Sequence, residues 1–187
     1  LLENHPTDAN VQMQSIHAHL ASAQIFVGDA AQRYQAASRY RYIRESFLIR
    51  EFGQSLATAT AHDELIDVLT RYVPQLPIES CIIVGDHGNN RAQKRILYAF
   101  DRHGQFDSSD YDRTFPRSQL LPEDMQHRLQ DLTQVVEILS FRDEAIGYLV
   151  ISSHHHDSSI FSVIRDQLSS ALKSIELFTT LRKQADD

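Results

Sequence analysis

The sequence predicts an α+β fold, a mostly antiparallel sheet with helices on its faces, preceded by a long N-terminal helical (coiled-coil) extension. Three observations predict it. No proline occurs between Pro6 and Pro74, and the stretch is rich in the good helix formers Ala, Gln, Arg, Leu and Glu. After Pro77 the periodicity changes to two pairs of short apolar runs, each pair joined by turn residues, which is the pattern of strand hairpins. The last segment returns to apolar residues spaced by three and four.

In order along the chain, Met13, Ile16, Leu20, Ala23, Val27, Ala30, Tyr34 and Ala37 form the seam of a coiled coil, built with several small residues. Around Ser38–Tyr42 the register slips, and Ile43, Leu48, Phe52, Leu56 and Ala59 take up a new stripe. One long helix with a stutter and two helices with a break near Gln35–Arg39 both satisfy this pattern. A further helix starts at His62 or Asp63, carries Leu65, Ile66, Leu69 and Val73 on one face, and stops at Pro74 and Pro77. Cys81–Val84 is a buried strand, Gly85–Asn90 a hairpin loop, and Ile96–Phe100 the returning strand. A polar loop from Asp101 to Tyr111 leads to a short extended piece within Thr114–Leu121. Pro122 then opens a short helix with Met125, Leu129 and Leu132. Gln134–Phe141 and Ala145–Ser152 make a second hairpin around Arg142-Asp143-Glu144. Asp157 or Ser158 caps a long helix carrying Phe161, Ile164, Leu168, Ala171, Ile175 and Phe178. This divides the chain into a helical dimerisation or linker region, residues 1–49, and a domain over residues 50–187.

Composition narrows the function. The 18 Lys and Arg against 25 Asp and Glu give a net charge of −7, the wrong sign for a general binder of nucleic acid or anionic membrane. No apolar run approaches the ~18–20 residues of a membrane span. The N-terminus has neither a signal-like layout nor an initiator Met, so the chain reads as an interior piece of a longer protein. A lone cysteine, Cys81, excludes an internal disulfide and a multi-thiolate zinc site, and is consistent with a cytoplasmic location. No nucleophile–base pair, phosphate loop or metalloprotease spacing is present, so the chain is expected not to be an enzyme, and no cofactor is implied.

From about Arg50 to Gln184 the chain resembles a GAF domain of bacterial signalling proteins. The helix over Asp63–Val73 leads directly into Cys81–Val84, as the first helix and strand do in that family. Phe141-Arg142-Asp143-Glu144-Ala145-Ile146-Gly147-Tyr148-Leu149-Val150 is similar to the family's late hairpin, in which a glycine after the turn precedes an apolar strand. Phe115–Pro122 and Arg165–Lys173 resemble a subgroup in sensors that end in a diguanylate cyclase or another output domain. Departures are also legible. The Asn-Lys pair of cyclic-nucleotide members is missing, although Asp143-Glu144 follows Phe141. Cys81 lies in a predicted strand with no neighbouring His, unlike a bilin-attachment cysteine. One cysteine is too few for a methionine-sulfoxide reductase of this family.

The resemblance implies that the segment before the short helix closes over a ligand pocket between the sheet and loop 101–132. Arg113 and Arg117, flanking Phe115, are then the candidates for recognising an anion, because a guanidinium fork donates two parallel hydrogen bonds to carboxylate or phosphate. Tyr98 and Tyr111 would supply aromatic walls. Strand alternation places Glu137 with Val135, Leu139 and Phe141, where a carboxylate is exposed, paired or facing a cavity. His154-His155-His156 places two imidazoles on one side of an extended backbone but lacks spaced partner ligands, so a solvated loop is the better account. Of Arg33, Arg39, Arg41, Arg44 and Arg50, interleaved with tyrosines, Arg33, Arg41 and Arg44 cluster at about 100° per residue while Arg39 and Arg50 point elsewhere, so they form no single phosphate-tracking stripe and read as solvated flanks of the coiled coil.

These readings combine into one expectation. The chain is a regulatory sensor domain that binds a small molecule and homodimerises through the helices around Met13–Ala37 and Phe161–Phe178. It would pass the signal to an output domain, a diguanylate cyclase or a kinase. The alternative is a ligand-free dimerisation and signal-transmission module.

Overall fold

The structure, a computed structural model, describes residues 7–86, 92–104, 106, 110–153 and 159–186. The triple histidine and the proposed caps Asp157 and Ser158 lie outside these residues, as do His87 and the loop after it. The chain divides between Ser46 and Phe47 into two compact units.

The first unit is the N-terminal part of helix α1 (Thr7–Thr58). Of the two arrangements the periodicity left open, the helix is continuous through Gln35–Arg39. Nothing in Gln-Ala-Ala-Ser-Arg forbids helical dihedrals, so a slip in the apolar stripe changes which face is greasy without breaking the backbone. Asp29 and Arg33 form an i,i+4 ion pair on its surface. Phe26, Val27, Tyr34, Tyr40 and Tyr42 are all exposed.

The second unit starts with the last turns of α1 and continues through α2 (His62–Tyr72), a 3₁₀ turn at Val73–Gln75, β1 (Ser80–Asp86) and β2 (Gln93–Asp101). After these come β3 (Thr114–Pro116), α3 (Glu123–Arg128), β4 (Gln134–Phe141), β5 (Glu144–Ser152) and α4 (Ser159–Asp186). The five strands form one antiparallel sheet in the order β3-β2-β1-β5-β4. β1 and β2 run beyond their apolar runs because the ladder recruits polar end residues: Asp86 pairs in register with Lys94, and Ser80 with Asp101. The β4–β5 turn is two residues, Arg142-Asp143, with Arg142 at φ 54°.

Strand alternation sends side chains to two separate cores. Cys81, Ile83, Tyr98, Leu139, Leu149 and Ile151 face a helical layer made by Phe52 and Leu56 of α1, Leu65 and Leu69 of α2, and α4. Ile82, Val84, Ile96, Ala99 and Val150 face the other way, toward Phe106, Phe115, Leu121, Met125 and Leu129. Full burial of an Ile or Leu side chain stabilises by roughly 1.5–3 kcal/mol, so both layers contribute substantially. A bulge opposite Ile83/Val84 lets Leu97 join Tyr98 on the helical side while Ile96 and Ala99 stay on the other.

α4 corrects one part of the expected dimer. Phe161, Ile164, Leu168, Ala171 and Ile175 are buried in this domain's own core, so that stripe is unavailable to a second copy. Spacings of three and four suit a sheet-packed helix as well as a coiled coil, and the sheet claims these residues. Beyond Ile175 the helix leaves the core, and Leu177, Phe178 and Leu181 are exposed.

Candidate functional site

The space between the sheet and loop 101–132 is packed with the second apolar core. Asp101 builds the loop that closes it: its two carboxylate oxygens accept from the backbone N–H groups of His103 at 2.8 Å and Phe106 at 2.7 Å. Phe106 is thereby held over the sheet, with the Arg128 guanidinium 5.4 Å from its ring centroid. Tyr148 donates from its hydroxyl to the Leu120 carbonyl at 2.5 Å, and burial pushes its phenol up to about 12.

The residues expected to bind a ligand are distributed over both faces. Phe115 is buried in the apolar core of the loop side. Arg113 directs its fork at Asp124, with contacts of 2.6 and 2.7 Å, and that hydrogen bonding holds the Asp124 carboxyl below its usual range. Arg128 joins the same group, reaching Asp110 at 3.2 Å and Asp124 at 3.5 Å. Two guanidiniums and two carboxylates balance there. Arg117 lies on the surface 3.9 Å from Asp86. Tyr98 is buried on the helical side of the sheet, with its ring 5.8 Å from that of Tyr111, and burial raises its pKa. Tyr111 lies beside β2: its hydroxyl donates to the Ala99 carbonyl at 3.4 Å, and the next two residues, Asp112 and Arg113, exchange backbone hydrogen bonds with Ile96. Glu137 faces the helical layer and accepts from Arg165 Nη1 of α4 at 3.0 Å. Tyr98 and Tyr111 meet. Arg113, Arg117 and Glu137 do not converge.

A cavity of about 360 Å³ lies elsewhere, on the helical side at the end of the sheet where β1 finishes and β5 begins. That volume is within the range of small-molecule pockets. Gly85 is its floor: the glycine pairs with Arg95 of β2 on one side and with Gly147 of β5 on the other. Gly85 places no side chain in the space, and the β1 and β5 backbones approach closely there. A Cβ on Gly147 would stand 2.1 Å from the Val84 carbonyl oxygen. The walls are Leu97, Ile146 and Leu172, and charged groups stand at the rim.

Arg95 contributes the most unusual group. Its Nη1 reaches Asp112 at 3.3 Å, yet its Nε is buried and, among the described residues, has no hydrogen-bond partner. Asp112 is held at φ 58°, and its N–H donates to the Ile96 carbonyl at 2.9 Å. His62, at the first turn of α2, is pushed below the usual imidazole value by partial desolvation and by the Arg95 charge, with Asp112 and Asp63 opposing. Glu144 and Glu176 both bind the single ammonium of Lys173, each at 2.9 Å. Asp86 takes the Lys94 ammonium at 2.6 Å. Sequence reasoning did not single out Arg95, His62 or Glu176. The available signal was Gly85 at the end of an apolar strand, since a strand glycine marks a bulge or a close approach by something else.

Among the described residues no group of three His, Cys, Asp or Glu side chains is placed to hold a metal ion, and no helix is long and apolar enough to cross a membrane. No protein-family model and no curated protein matches the chain. Solved structures do. A GAF domain from an Acinetobacter phosphoenolpyruvate-protein phosphotransferase superposes with a TM-score of 0.54 at 10% identity, covering 73% of this chain and 98% of that one. The phycocyanobilin-bound GAF domain of a cyanobacterial phytochrome gives 0.52 at 13% identity, covering 71% and 96%. A phycoerythrobilin-bound counterpart, also from a cyanobacterial phytochrome, gives 0.51 at 15% identity over the same shares. Sequence identity this low speaks to architecture alone. With its five antiparallel strands and flanking helices, the chain has a GAF-like fold.

Proposed function

We propose that this chain is a regulatory sensor domain of a signal-transduction protein. A small molecule enters the cavity beside Gly85, and two copies associate through the exposed faces of α1 and the emergent end of α4. The observation that carries this reading is the triple role of α4. It fills the core from Phe161 to Ile175, lines the cavity through Leu172 and Glu176, and then exposes Leu177, Phe178 and Leu181. A ligand against Leu172 and Glu176 therefore bears on the same rigid element that presents the apolar end. An occupant need only prefer one setting of that helix, and a differential of ~1–3 kcal/mol is typical of such coupling. The role is regulatory rather than catalytic. Resemblance alone suggests a bacterial cytoplasmic protein whose output domain is a diguanylate cyclase or a kinase.

A second reading, a ligand-free dimerisation and transmission module, draws support from the apolar packing of the loop side and the closure of Arg113 on Asp124. Native mass spectrometry of the purified chain separates the two. A dimer carrying releasable extra mass supports the sensor. A clean dimer with no ligand-dependent change favours the module, and a monomer at high concentration removes both.

A further inference from the structure

We infer that the N-terminal part of α1 pairs with the same segment of a second copy, antiparallel, about a two-fold axis level with residues 24–26. The inference rests on the self-association proposed above and adds the direction in which the two helices run. The α4 end takes no part in this contact.

The face of α1 in question lacks a partner within the chain. Met13, Ala23, Val27, Ala30, Tyr34 and Ala37 are all exposed, and among the described residues no other element covers them. A helix in water draws most of its stability from packing one face against something.

The seam alternates in size. One heptad position holds Met13, Leu20, Val27 and Tyr34, and the other holds Ile16, Ala23, Ala30 and Ala37. In a parallel pair each position meets itself. Tyr34 would then crowd its own copy, while Ala23, Ala30 and Ala37 would face alanine across a gap that bulkier neighbours hold open. Crowding and voids both cost stability. In an antiparallel pair each position meets the other. Met13 falls opposite Ala37 of the second copy, Leu20 opposite Ala30 and Val27 opposite Ala23, with Ile16 beside Tyr34. Large against small fills the space evenly along the whole seam. Sliding this register by a heptad leaves seam residues without a seam residue opposite. The segment is therefore complementary to itself read backwards, which a two-fold axis between identical chains requires and a foreign partner would not.

Charge points the same way. Beyond Ala37 the helix is unbroken, and the same two heptad positions are next held by Arg41 and Arg44, both exposed. A parallel pair would set each guanidinium against its own copy at the seam, like against like. The antiparallel pair carries the two copies of Arg41 to opposite ends, about 48 Å apart along the axis.

The test is disulfide trapping of the full chain in a Cys81→Ala background, with Met13→Cys in one preparation and Ala37→Cys in another. Mixed and oxidised, they should give the product joining residue 13 to residue 37 at least tenfold over either self-crosslinked product, read by mass spectrometry. A spin label on Tyr40→Cys, which lies off the seam and leaves its packing intact, is the independent readout. The two labels should stand about 45 Å apart, against roughly 20 Å or less for a parallel pair. Self-crosslinking of each variant with a short label distance makes the pair parallel and overturns the inference, while the self-association stands. Association in sedimentation equilibrium with no trapping at either position and no 45 Å distance puts the contact off this seam and also overturns it. A chain that stays monomeric at high concentration removes the inference and the self-association together.

Discussion

Arg165 Nη1 of α4 meets Glu137 Oε2 of β4 at 3.0 Å, fastening the C-terminal helix to the edge strand of the sheet. Arg165 also holds Asp166 at 2.9 Å, and both carboxylates favour its charged form. Glu137 therefore sits among apolar neighbours at the modest exposure of 22% because its charge is met locally. Removing the guanidinium leaves a partly buried carboxylate alone. Arg165→Met is expected to cost about 1 kcal/mol in urea unfolding, at the upper end for a partly exposed pair. Glu137→Gln in the same chain should recover most of it, so additive losses would mean that the two side chains are not coupled.

Gly147 is the tightest point of the sheet. Its would-be Cβ lies 2.1 Å from a backbone oxygen on β1, and backbone cannot swing aside as a side-chain tip can. Gly147→Ala is expected to lose roughly 1–3 kcal/mol or more, the range for overpacking, with weakened β1–β5 pairing. Hydrogen exchange at Val84 and Tyr148 is the local readout. An unchanged unfolding midpoint would show that β5 has room to shift.

Cys81 should be chemically silent while the protein is folded. Its thiol is buried on β1 and desolvation pushes its pKa up to about 12, so at pH 8 almost none is thiolate. Labelling by a disulfide reagent is expected to proceed only through opening of the domain and to accelerate in urea in step with unfolding. Fast labelling in native buffer would contradict the burial.

The ion pairs of α3 predict an acid limb. Arg113 holds Asp124 below the ordinary aspartate value, chiefly by hydrogen bonding. The folded pKa lies below the unfolded one, so the stabilisation is complete above the unfolded value of about 4 and disappears as pH falls through the folded value. Asp124→Asn should flatten the dependence of the urea midpoint on pH between about 5 and 2. Parallel curves for the two proteins would assign the acid sensitivity to other carboxylates.

Self-association should respond to charge at the exposed apolar positions. Val27→Glu with Tyr34→Glu on α1, or Leu177→Glu with Phe178→Glu on α4, is expected to weaken the proposed self-association at least tenfold in sedimentation equilibrium. Folding should be untouched, since all four residues are exposed in the single chain. A dimer unaffected by both pairs would place the interface elsewhere.

Much of the architecture was legible in order and type because it is local. Proline-free periodicity marks α1, apolar runs between turn residues mark the two hairpins, and Pro122 marks the start of α3. Alternation alone put Glu137 on the face of Val135 and Leu139, where it is found. By itself, the sequence determined the type and order of the elements that follow α1 and the hairpin pairings, and left open whether α1 is one helix or two. Only the tertiary structure decided that the α4 stripe packs on its own sheet, that Arg113 turns to Asp124, and that the cavity opens beside Gly85, Arg95 and Glu176. Those outcomes depend on which residues distant in sequence become neighbours. Spacings of three and four fit a sheet and a second helix equally, a guanidinium takes whichever carboxylate folding brings near, and a cavity arises where strands and helices from separate segments fail to fill the space between them.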